Sequence, residues 1–117
     1  MNDEIKKCDI LYNLYEMILD RKANPKQGSY TNYLLDEGVD KICKKVGEEA
    51  TETVIAAKNK ALPNFKDELV GEICDLVYHI EVLMVDRGVS MEDVKAKLEE
   101  RHKKECNKKK FNTRGEY

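Results

Sequence analysis

"KKVGEEATETVIAAKNK", residues 44–60, decides how the rest of the chain is read. Val46, Ala50, Thr53, Val54 and Ala57 recur every three or four residues, the period of a helix that lays one face on a core. Beside that face stand three glutamates within five positions, Glu48, Glu49 and Glu52. Like charges three or four apart on a helix repel, by roughly 0.2–0.5 kcal/mol per pair. Either water screens them on a bland surface, or something positive belongs there.

The apolar stripe extends upstream through Val39, Ile42 and Cys43, which predicts one helix from Asp36 to about Lys60, stopped by Leu62-Pro63. Asn64, with Asp67 three residues on, resembles a capping box for the next helix. That helix carries Leu69, Ile73, Leu76, Val77, Ile80, Leu83 and Met84, and Gly88 is its expected C-terminal cap. Ser90 and Asp93 open a last helix with Val94 and Leu98. Upstream, residues 4–22 space Ile5, Cys8, Leu11, Leu14, Tyr15, Ile18 and Leu19 helically, and ANPKQGS (23–29) breaks the pattern. Ser29 then caps a short helical piece holding Leu34 and Leu35. No repeat and no strand-period segment interrupts this series. The expected fold is all-α, a bundle of four to five helices with two long ones at its centre.

Composition agrees. With 117 residues the chain suits one domain, and 38% charged against 7% aromatic residues, with no Trp, favours amphipathic helices over a sandwich or barrel. Residues 103–117 carry six Lys/Arg against two Glu, so they hold +4 of the net −2 and leave −6 on residues 1–102. The expected organisation is an all-α domain over 1–102 and a solvated basic tail over 103–117. An acidic folded part argues against nucleic-acid binding. Cys8, Cys43, Cys74 and Cys106 form no C-x-x-C pair, and Cys43 and Cys74, on or beside apolar stripes, read as small buried hydrophobes in a reducing compartment. The start, MNDEIKK, lacks the apolar core of a signal peptide, and no apolar run approaches a membrane span of roughly 20 residues. A cytoplasmic location is expected.

At 100° per residue, Lys45, Glu48, Glu49 and Glu52 fall within roughly 100° of one another, off the stripe. Glu68, Glu72, Asp75 and His79 do the same on the next long helix. If the two helices pack antiparallel, Glu49 and Glu52 face Glu72 and Asp75. Such a hard-oxygen cage suits Mg²⁺ or Mn²⁺ rather than a thiolate-seeking metal. The bland reading stands beside it, since carboxylates at Glu37/Asp40 and Glu16/Asp20 have similar spacing and suggest no function. His79 lacks a second Glu-x-x-His partner, which argues against a di-iron centre and leaves it a helix-flank histidine on spacing alone.

The ordered run GSYTNYLL (28–35), KKVGEEATETVIAAKN (44–59), ELVGEICDLVYHIEVLM (68–84) and LEERHKK (98–104) resembles the phosphoribosyl-ATP pyrophosphohydrolase family of histidine biosynthesis. That family belongs to the all-α nucleotide pyrophosphohydrolases of the MazG type. The superfamily signature, E-x-x-E followed by E-x-x-D, matches Glu49-x-x-Glu52 and Glu72-x-x-Asp75. KKVGEEA-x-E, SYT and DL-x-YH together point to the histidine-pathway member.

The resemblance implies Mg²⁺-dependent hydrolysis of phosphoribosyl-ATP to phosphoribosyl-AMP and pyrophosphate, with Mn²⁺ as a substitute. It implies Glu49, Glu52, Glu72 and Asp75 as metal ligands, and Glu48 with Glu49 as the catalytic glutamates that ligate or orient water. Lys45 would sit near the phosphates, with Lys44 beside it, and Ser29, Tyr30, Thr31 and His79 would contact substrate. Cys74 stands where such proteins usually have Ser or Ala. A homodimer or multiple of dimers is implied, with a functional link to the separate cyclohydrolase that acts next. Two rivals stay open: a pyrophosphohydrolase clearing non-standard nucleotides, and a helical interaction module whose acidic strips are only solvated.

Overall fold

The computed structural model describes residues 9–59, 61 and 63–105. Ile5, Cys8, Lys60, Leu62, Cys106 and the tail beyond it lie outside the described residues. Five helices make up this part: α1 (Ile10–Ala23), α2 (Tyr30–Glu37), α3 (Val39–Lys58), α4 (Phe65–Arg87) and α5 (Met91–Glu105). No strand occurs among the described residues. The all-α expectation holds.

Local chemistry sets the helix ends. Asp9 Oδ1 accepts from the backbone N–H of Leu11 and Tyr12, at 3.1 and 3.3 Å, and so caps α1. Ser29 Oγ accepts from Asn32 N at 3.2 Å and caps α2. The continuous helix expected from Asp36 onward is instead broken at Gly38, whose φ of +93° is ready only for a residue without a Cβ. Gly38 closes α2 by donating to Leu34 O and opens α3 by accepting from Ile42 N.

The capping box at Asn64 also fails to form. Asn64 sits at ψ 26°, not in the extended conformation a side-chain cap requires, and its Nδ2 donates to Glu68 Oε1 at 3.2 Å instead. At the far end of α4, Gly88 takes the left-handed conformation expected of it, φ +73°. Ser90 and Asp93 then exchange reciprocal bonds, Asp93 N to Ser90 Oγ at 3.0 Å and Ser90 N to Asp93 Oδ2 at 2.9 Å, and start α5.

The core lies where α1, α2, α3 and α4 meet: Tyr15 and Ile18 from α1, Leu34 from α2, Ile42 from α3, and Val82 and Val85 from α4. Each fully buried aliphatic side chain contributes about 1.5–3 kcal/mol. Helices α3 and α4 form the most extensive pairing. They run antiparallel: Thr53 bonds Glu72 O, while the later stretch to Asn59 shares a cavity with the earlier stretch from Phe65. Helix α5 is exposed along most of its length, with its first turn tied back by a hydrogen bond from the Tyr12 hydroxyl to Glu92.

Cys43 and Cys74 are exposed, against the expectation of burial. The apolar stripe of the α3–α4 pair is wider than the surface that α1 and α2 cover. Residues at its uncovered edge, among them Val54, Ile73 and Ile80, stay accessible with the two cysteines.

Candidate metal and active site

The site forms where α3 and α4 cross the level of Thr53. Its Oγ1 lies 2.8 Å from Glu49 O on its own helix and 3.3 Å from Glu72 O on the next. One hydroxyl proton shared between two carbonyls draws the two backbones together at the level of the acids. The consequence is a trio. Glu49, Glu72 and Asp75 each offer a carboxylate oxygen, all within 4.8 Å of one another.

That trio is electrostatically unfinished. Glu49 is 6% exposed, and its Oε2 is buried without a hydrogen-bond partner, as is Oε2 of Glu72. A buried acceptor left unsatisfied costs about 1–3 kcal/mol, more when charged. Burial pushes the Glu49 carboxyl above the ordinary glutamate range, and the hydrogen bond and charge of Glu52 push it further; Lys45 and His79 pull the other way. Glu52 itself is exposed and stands against Glu49 rather than inside the tight trio. Three converging all-oxygen donors with two orphaned lone-pair positions match the donor set of a hard divalent cation such as Mg²⁺.

Lys45 lies 3.2 Å from Glu48 and 3.5 Å from Glu49. The bond to Glu48 chiefly raises its affinity for its proton, so the ammonium is secure. Glu48 stays largely accessible on the solvent side of that pair. Lys44 is exposed, one position and about 100° further round the helix.

The start of α2 closes the site on another side. His79 is 6% exposed, and its Nδ1 lies 2.7 Å from Asp75 O. A carbonyl can only accept, so Nδ1 carries a proton and donates it there, while Nε2 lies 3.1 Å from the Tyr30 hydroxyl. His79 therefore ties Tyr30 to the carboxylate helix rather than standing as an idle flank residue. Thr31 bonds the Tyr78 hydroxyl, and Tyr30 stacks between Tyr33 and Tyr78 at centroid distances of 6.0 and 6.2 Å. Ser29 serves as the helix cap. Beyond Glu52 and Glu72 opens a cavity of about 180 Å³ floored by Ile55, Ala56 and Phe65.

Of the positions singled out on sequence grounds, Lys45 and Glu52 stand against Glu49, Glu48 is joined to it through Lys45, and Tyr30 reaches the carboxylate helix through His79. Ser29 and Thr31 instead line a cavity between α1 and α2, and Lys44 lies further round α3. Sequence reading missed Thr53 and Tyr78 as structural ties. Thr53 lay on the stripe four residues after Glu49, a legible spacing, whereas Tyr78 was marked only as part of DL-x-YH, with nothing to say that it meets Thr31. It also missed Glu81, 3% exposed, with Oε1 unpartnered; a lone acid inside the apolar run IEVLMV was the available signal.

Comparison with known proteins adds independent findings. The sequence profile described as phosphoribosyl-ATP pyrophosphohydrolase matches residues 11–102. A protein of Clostridium novyi (strain NT) named phosphoribosyl-ATP pyrophosphatase is 54% identical over 101 residues, 86% of this chain and 88% of its own. One of the same name from Clostridium botulinum (strain Hall) is 50% identical, over 90% of this chain and 92% of its own. The histidine biosynthesis bifunctional protein HisIE of Lactococcus lactis is 56% identical over 91% of this chain, and there the match spans 48% of the relative.

Proposed function

This chain belongs to the phosphoribosyl-ATP pyrophosphohydrolase family, and on that premise we propose that it hydrolyses phosphoribosyl-ATP to phosphoribosyl-AMP and pyrophosphate, with Mg²⁺, in histidine biosynthesis. The observation that carries the metal-dependent reading is the trio Glu49, Glu72 and Asp75 with two orphaned buried oxygens. These three, joined by Glu52, would hold the ion. A carboxylate-bound Mg²⁺ neutralises triphosphate charge and makes bound water more acidic.

The chain's own residues do the rest. A glutamate not engaged by the ion can take the proton of the attacking water. Glu48 orients that water from the accessible side, held in place by Lys45. Hydrolysis breaks the anhydride bond between the α and β phosphates, water supplying the oxygen and protons that complete the two products, phosphoribosyl-AMP and pyrophosphate. Lys45 faces the phosphates, and Tyr30, fixed by His79, lines the approach.

A homodimer, or a multiple of one, belongs to the same proposal and is supported by the exposed apolar residues of α3 and α4. A link to the cyclohydrolase is supported by bifunctional relatives in which the matched region is about half the chain. The proposed location is the cytoplasm; among the described residues no helix is long and apolar enough to cross a membrane.

Pyrophosphate release from phosphoribosyl-ATP, measured beside ATP, dCTP and dUTP, tests the reading. Two charge-assisted contacts to the extra phosphate of phosphoribosyl-ATP would give a preference in kcat/KM of ~1000-fold or more. Comparable rates on the ordinary triphosphates would move the chain to a general triphosphate-clearing activity. No hydrolysis of any of them with Mg²⁺ or Mn²⁺ would favour an interaction module.

A further inference from the structure

The end of α1 and the start of α2 enclose a cavity of about 300 Å³, walled by Met17 and lined by Arg21, Lys26, Gln27, Ser29 and Thr31. Among the described residues that line it, none is acidic. Its polar groups are mostly donors. Ser29 Oγ already accepts from Asn32 N, so its own proton is free to be donated. Arg21 meets Asp20 through a single nitrogen at 3.5 Å, a weak exposed pair that leaves its other N–H groups to a ligand.

One buried side chain organises this cavity. Asn32 is 8% exposed; its Nδ2 donates to Arg21 O at 2.7 Å, and its Oδ1 accepts from Lys26 N at 2.9 Å. Its backbone N–H goes to Ser29 Oγ, so its three bonds reach three lining residues. Fixing the backbone of Arg21 and Lys26 and the hydroxyl of Ser29 lowers the ordering cost of a ligand that these three residues contact. An arginine fork beside a lysine and a hydroxyl suits a phosphate monoester, whose oxygens take several charge-assisted hydrogen bonds.

The cavity is also coupled to the carboxylates. Thr31 lines it and bonds Tyr78, while Tyr30, one residue earlier, bonds His79, which bonds Asp75. The first turn of α2 thus joins the wall of this cavity to the backbone of the helix that carries Glu72 and Asp75. Neither Lys45 nor Lys44 is well suited to the extra phosphate of phosphoribosyl-ATP: Lys45 is engaged by Glu48 and Glu49, and Lys44 lies round the helix.

We propose that this cavity binds a phosphate monoester and, resting on the function proposed above, that the group is the phosphate closing the phosphoribosyl arm. Arg21 and Lys26 are then specificity residues, distant from the bond that breaks. The test uses Arg21→Gln, Lys26→Gln and the double variant, each checked for unchanged melting, assayed on phosphoribosyl-ATP and on ATP, which lacks the arm. Loss of one charge-assisted contact should lower kcat/KM for phosphoribosyl-ATP by about 10- to 100-fold, mostly through KM. ATP turnover should move by no more than about 3-fold, the range of an uninvolved surface change. No loss on phosphoribosyl-ATP overturns the proposal, and so does an equal loss on ATP, which would put the triphosphate end in the cavity.

Titration with ribose 5-phosphate and with ribose separates this inference from the reading beneath it. Saturable binding of ribose 5-phosphate, weakened about 10-fold or more in the double variant and missing for ribose, supports the phosphate site even if phosphoribosyl-ATP proves not to be the substrate. Equal binding by wild type and double variant, or none at millimolar concentration, overturns it.

Discussion

Two glutamates on neighbouring helices, Glu49 and Glu81, are buried with an oxygen unpartnered, and their surroundings give them different meanings. Around Glu49 other carboxylates converge, so its cost is one that a cation can relieve. Replacing Glu52 or Asp75 by its amide should leave the metal-free protein as stable or more so, while hydrolysis falls by ~100-fold or more if the ion supplies several kcal/mol to the transition state. Thermal melts with and without Mg²⁺ check this, with Glu37→Gln as the surface control; identical behaviour of Glu52→Gln and Glu37→Gln would sink it. Glu81 has no such company. Burial first, then the charge of Asp9, raises its carboxyl from 4.5 to about 7. The folded state thus holds this proton more tightly than the unfolded one, and the resulting stability is full below pH 4.5 and lost as pH climbs to about 7. Ionised at pH 8, Glu81 costs on the order of 2 kcal/mol, so Glu81→Met should melt several degrees higher there, with the gap narrowing toward pH 5. A gap that does not change with pH would refute this account of Glu81.

At the scale of elements, the site depends on how closely α3 and α4 approach, and Thr53 is the one hydroxyl bonded across them at that level among the described residues. Thr53→Val keeps the branched shape and removes the shared proton. The expected loss is about 1 kcal/mol, or roughly 4–8 °C in a domain of this size. Because the change also frees Glu49 and Glu72 to drift apart, Mg²⁺ should raise the melting temperature of the variant less than that of the wild type. Calorimetry of both proteins with and without the ion reads out the two effects; an undiminished Mg²⁺ response would mean that the carboxylates are positioned by other contacts. Helix α2, only eight residues long, depends on its neighbours in the same way. Ser29 and Gly38 fix its ends, and Asn32 and Leu34 anchor it to the bundle.

At the scale of the molecule, the buried apolar core of the described residues consists of six side chains, while Val54, Val70 and Ile73 are 63, 50 and 43% exposed. Large apolar residues clustered on the outer side of one helix pair are what a second subunit covers. If a copy of this chain packs there, Ile73→Glu should yield a monomer in sedimentation equilibrium at micromolar concentration, with a lower melting temperature. Wild-type protein that is fully active as a monomer would sink the dimer proposal, as would a variant that still dimerises with wild-type affinity. The exposure of Cys43 and Cys74 fits the same surface and corrects their reading as core residues of the isolated chain.

The sequence by itself determined the helices, several of their ends, and the faces on which the acids lie. Those features depend on residues within four positions of one another: Ser29 with Asn32, Gly88 after its helix, Ser90 with Asp93, Glu49 with Glu52. Spacing fixes an angle around one helix axis, but it cannot fix the distance to another helix. Only the tertiary structure placed Glu72 and Asp75 against Glu49, left two of their oxygens without partners, and turned Asn32 from an ordinary helix residue into the brace of a cationic cavity. It also set the limit of the core, because burial depends on how much surface the remaining helices can cover. An apolar stripe announces only that something covers it, and for the outer edge of α3 and α4 that cover does not come from the described helices of this chain.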